Sequence, residues 1–72
     1  MITSEPAKNS HGEDIIVIFT DGQPQGHLIQ IGKTHPDVRL NRWGKQSIQF
    51  PCAHLADITH QEIGAIARKY LT

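Results

Sequence analysis

Cys52 is the only cysteine in the chain, so no disulfide can close within it and the usual brace of a very small secreted domain is missing. That favours a reducing, cytoplasmic setting. Long hydrophobic runs are missing as well. The longest, residues 15–19 (Ile15, Ile16, Val17, Ile18 and Phe19), is far shorter than the roughly 20 residues a membrane helix needs. Residues 1–13 carry no apolar stretch resembling a secretion signal. Neither sign of charge prevails: seven basic and seven acidic residues cancel, which argues against a protein held on duplex nucleic acid mainly by phosphate neutralisation. The six glycines are scattered singly among turns, so no phosphate-cradling loop exists and no nucleotide cofactor is implied. Finally, 72 residues are too few for two cores or for a large active-site cavity, which places function on an outer surface.

What is present has a direction to it. Glu5, Glu13, Asp14 and Asp21 load the first third with acid, whereas Lys33, Arg39, Arg42 and Lys45 crowd a stretch whose only acid is Asp37. Five histidines (His11, His27, His35, His54 and His60) make the charge responsive to pH near 6.5.

Residues 1–13, rich in Ser, Asn, Lys, Glu, Pro and Gly with no apolar period, read as a flexible arm. The remaining residues, 14–72, read as one domain. Residues 15–19 are continuously apolar and β-branched, the signature of a central strand covered on both faces. A turn over residues 21–26 leads to a second strand, residues 27–31, with Ile29 and Ile31 on one face. In residues 38–43, alternation turns Val38 and Leu40 inward and Arg39, Asn41 and Trp43 outward. Residues 47–50 alternate likewise, with Ile48 and Phe50 inward and Ser47 and Gln49 outward. Residues opposite each other in a hairpin share a face, so Leu40 should pair with Ile48 across an odd-numbered connection of three or five residues containing Gly44.

The C-terminal helix is signalled three ways. Thr59 and Glu62 have capping-box spacing, Ile58 and Ile63 occupy the staple positions, and Ile63, Ile66, Ala67 and Tyr70 recur at helical spacing. Arg68 and Lys69 sit in the last turn, where cations suit the helix dipole. Pro51 closes the last strand, and within residues 51–57 one short helical turn can form with Pro51 at its first position. The expected fold is α+β: a small antiparallel sheet of three or four strands with one C-terminal amphipathic helix packed on one face.

Catalysis and metal binding find little support. Cys52, His54 and His60 are chemically apt zinc ligands, with His27 or His35 as a fourth, but they lack the paired spacing of a structural zinc site. Cys52 beside His54 or His60 lacks both the geometry of an activated thiolate and an oxyanion-hole glycine cluster. Asp57, His60 and Glu62 are explained by the helix N-terminus. No enzyme, cofactor or metal is expected.

The outward set Arg39, Asn41, Trp43, Ser47 and Gln49, flanked by Lys33, Arg42 and Lys45, has the ingredients of a ligand-binding platform. A Trp on an exposed sheet face can stack an unpaired base while Arg and Lys track phosphates, which points to single-stranded DNA or RNA. Trp beside Arg is equally an anchor of protein interfaces, so a protein-binding accessory factor or inhibitor, of the kind phage and mobile elements encode, is the alternative. A third reading folds Trp43 over the sheet edge as part of the core. A sheet this small has unpaired edges, which also leaves room for a homodimer through a strand edge.

Overall fold

A computed structural model describes residues 1–32 and 37–71. It is an α+β fold, but the antiparallel sheet has five strands rather than three or four. They are β1 (Ile2–Lys8), β2 (Asp14–Thr20), β3 (Gln23–Ile31), β4 (Asp37–Arg42) and β5 (Ile48–Pro51), arranged side by side in chain order. A 3-10 turn (Leu55–Asp57) and one helix, α1 (His60–Tyr70), complete the chain.

The additional strand, β1, comes from the segment expected to be a flexible arm. Its composition offers little to bury, yet an edge strand needs little. Ile2 alone packs against the core, while the backbone pairs with β2 from Ile2 opposite Thr20 to Lys8 opposite Asp14. The connection is organised by one side chain: Asn9 Oδ1 accepts the backbone N–H groups of His11 and Glu13, both at 2.9 Å. A short polar residue that mimics a backbone turn replaces the apolar burial the segment lacks.

β2 turns into β3 through Asp21 and Gly22 alone, both with positive φ (50° and 79°). That is the conformation a two-residue hairpin favours and an Asp-Gly pair tolerates. The turn is therefore shorter than expected, and β3 starts at Gln23. Asp21 also pairs with the Met1 ammonium group, whose hydrogen bond and charge hold its carboxyl below the ordinary value. One register shift between Ile18 and Phe19 leaves Gln25 as the extra residue of β3.

β4 and β5 pair as the hydrophobic pattern demands: Leu40 opposite Ile48, Arg39 opposite Gln49 and Val38 opposite Phe50, across a five-residue connection, 43–47. Trp43 falls in that connection rather than at the end of the strand.

The helix begins as its sequence predicts. Thr59 accepts the backbone N–H of Glu62, and the Glu62 carboxylate accepts the N–H of Thr59, at 3.1 and 3.2 Å. Ile63, Ile66 and Ala67 enter a buried cluster with Ile18, Leu28, Val38 and Leu40, against which Ile58, Phe50 and Tyr70 pack. The Phe50 and Tyr70 rings stack with centroids 5.3 Å apart. Gln30 ties the 3-10 turn to the sheet, accepting from Leu55 N–H at 2.8 Å and donating to the Asp37 carbonyl. All of this lies on one side of the sheet.

Candidate interaction surface on the open sheet face

Because side chains alternate along each strand, the register assigns every strand residue to a face. Ile16, Ile18, Leu28, Val38, Leu40, Ile48 and Phe50 share the face under α1. Thr3, Glu5 and Ala7 of β1 share the other, with Ile15, Val17 and Phe19 of β2, His27, Ile29 and Ile31 of β3, Asp37, Arg39 and Asn41 of β4, and Gln49 of β5. Among the described residues, no helix packs on this second face. β2 is thus apolar on both faces as its sequence suggests, but only one of them is covered.

The open face has an apolar centre and polar flanks. Ile15 is nearly inaccessible although it stands outside the core cluster, and Val17, Phe19, Ile29 and Ile31 are half-buried by their cross-strand neighbours. Glu5 on β1 and Arg39 on β4 are exposed on either side of them. Within the face, Asn41 Nδ2 and His27 Nε2 are hydrogen-bonded at 3.0 Å, tying β4 to β3. These apolar residues are the part of the surface that attention to Arg and Trp missed. The signal was available: a run apolar at every position requires cover on two sides, and the chain supplies one helix.

The residues expected to form a binding platform do not all converge. Arg39, Asn41 and Gln49 share the open face, and Trp43 is 55 % exposed just beyond it, its backbone N–H donating to the Gln25 carbonyl. Lys45 is exposed in the same connection. Arg42 departs from the set. It alternates to the helix side, where Nε and Nη2 donate to the Gln46 carbonyl at 3.0 and 2.7 Å and Nη1 donates to the Tyr70 carbonyl at 3.4 Å. Its guanidinium braces the β4–β5 connection against the end of α1, where a cation also meets the negative pole of the helix. Lys33 lies outside the described residues, as does His35.

Both sheet edges are blunted. Asp21 N–H donates to the Met1 carbonyl, which puts the odd-numbered residues of β1 in the ladder and turns the even-numbered amides outward. Pro6 is one of these and has no N–H to offer. On β5, the Trp43 to Gln25 bond fixes the odd-numbered residues of β4 toward β3. Phe50 and Ile48 therefore bond to β4, and the free edge keeps Gln49 and the donorless Pro51. Pairing is interrupted at Pro6 on the β1 edge, and the β5 edge has few donors to use.

Cys52 packs against the core beside a groove of about 440 Å³ whose lining, Phe50, Ile66 and Tyr70 among others, includes no histidine. Among the described residues, no three His, Cys, Asp or Glu side chains gather to hold a metal ion, and no helix is long and apolar enough to cross a membrane. No known protein family matches the chain, and neither the curated proteins nor the solved structures compared with it provide a match.

Proposed function

We propose that this domain is a non-enzymatic binding module that engages a protein partner on the open face of its sheet. The observation that carries the reading is the apolar centre of that face, where Val17, Phe19, Ile29 and Ile31 are half-buried around the buried Ile15, rimmed by Glu5, Arg39, Asn41 and Gln49. An apolar centre within a polar rim is the anatomy of protein interfaces, and water-exposed apolar patches mark such sites. The blunted edges leave the face as the route of contact, and the zero net charge suits a protein partner better than a phosphate backbone. The test is affinity capture from nuclease-treated lysate with the natural chain and with Phe19→Lys. A partner retained by the first and lost by the second is expected. Equal capture by both sinks the reading.

Single-stranded nucleic acid is a second reading, favoured by the exposure of Trp43, Arg39 and Lys45 along one side of the sheet. Stacking on an exposed indole contributes about 1–3 kcal/mol per base. A labelled oligonucleotide titrated at two salt concentrations distinguishes it, with binding that weakens as salt rises and in Trp43→Ala expected. Absence of binding at low salt removes it.

A further inference from the structure

We propose that the occupant of the open face is a second copy of this chain, packed face to face about a two-fold axis that runs parallel to the strands between β2 and β3. This rests on reading that face as a protein-binding surface.

A surface that binds its own copy about a two-fold must be self-complementary. With the axis between β2 and β3, β2 of one copy lies over β3 of the other, so Ile15 meets Ile29 and Val17 meets His27, with Phe19 beside them. The flanks follow: β1 lies over β4, setting Glu5 over Asn41 of the other copy with Arg39 as the next residue of the same face, on a diagonal that the long Arg side chain can span, twice by symmetry. Among the described residues the third charge on the face is Asp37, which stands opposite Ile31 at the far end of β4, four residues along the strand from Asn41, the residue level with Glu5. A two-fold perpendicular to the strands would instead lay β1 on β1 and β4 on β4, setting Glu5 near Glu5 and Arg39 near Arg39. Charge therefore selects the first axis. Stacked sheets sit about 10 Å apart with strands inclined by roughly 30°, a spacing filled by interdigitating Val, Ile and Phe side chains. No net charge opposes the approach of two copies. Edge-to-edge association, the other common route for a small sheet, is hindered by Pro6 and Pro51.

Sedimentation equilibrium of the purified chain tests this. Twice the chain mass is expected at tens of micromolar. Val17→Lys should raise the dissociation constant on the order of 100-fold, since it forces an ammonium group and its hydration out of water among the interdigitated apolar side chains. Glu5→Arg and Arg39→Glu should each weaken association, and the double variant should return to within about tenfold of the natural chain. A monomer at every concentration overturns the proposal, as does a dimer indifferent to Val17→Lys. Failure of the double exchange to restore association overturns the axis. Should Val17→Lys not fold, isotope-filtered NOE spectra of mixed-label natural chain decide the matter. Contacts from Ile15 to Ile29 and from Val17 to His27 of the other copy are expected, and their absence overturns the arrangement. A monomer whose partner capture is still abolished by Phe19→Lys fails this inference alone, whereas a monomer whose capture is unaffected fails the broader reading too.

Discussion

The carbonyl oxygen of Asn41 occupies the space that a β-carbon on Gly26 would need. Gly26 follows the β3 bulge and pairs with Ile18 on one side and Arg42 on the other, so the intruding atom would meet ladder backbone rather than a side chain able to swing away. Gly26→Ala should therefore lower the unfolding free energy by about 2 kcal/mol or more. Gly12→Ala, which has open space but a φ of 78°, should cost about 1 kcal/mol through backbone strain alone. Urea denaturation measures both, with a larger loss at residue 26 expected.

Arg42 illustrates how a basic residue can be structural. Its fork holds the Gln46 carbonyl through two nitrogens, a geometry that lysine cannot reproduce. Arg42→Lys should cost about 1–2 kcal/mol of stability. Oligonucleotide or partner binding by the folded fraction should be unchanged, whereas Arg39→Ala should alter binding and leave stability within about 0.5 kcal/mol. A binding defect in Arg42→Lys equal to that in Arg39→Ala would contradict this division.

At the start of α1, Thr59 and Glu62 satisfy each other's backbone amides. Thr59→Ala should destabilise by about 1 kcal/mol and Thr59→Ser by much less, since the hydroxyl is what the cap requires. Thermal denaturation followed at 222 nm checks the order.

Asp21 makes stability respond to acid. Its carboxyl titrates below the ordinary value of 3.8 in the folded chain because the Met1 ammonium group donates a hydrogen bond to it and attracts its charge. The contribution is complete above that value and is lost as pH falls through the lower folded one. Since both groups are exposed, the effect should be a shallow slope, absent in Asp21→Asn. Melting temperatures between pH 5 and 2 report it.

Much of this architecture was legible in the residues. The capping box, the staple and the Leu40 to Ile48 register follow from local spacing, because caps and hairpin faces are set by neighbours a few positions apart. β1 was not legible: its order comes from pairing with β2 and from the Asn9 side chain, neither of which leaves an apolar period. Arg42 was misread for a related reason. Proximity to Arg39 and Trp43 in sequence suggested one cluster, while alternation sends Arg42 to the opposite face. The apolar half of the open face was visible in residues 15–19, but its extent required knowing that a single helix must serve five strands.

Every strand lies beside the one that precedes it in the chain. Each pairing thus closes a loop of only a few residues, the cheapest kind of ring for a chain to form. Such a sheet can zip up hairpin by hairpin from either end or from the Asp21-Gly22 turn, with the helix arriving last to seal the core. Folding speed should then depend chiefly on how quickly the tight turns nucleate, and little on a search for distant partners.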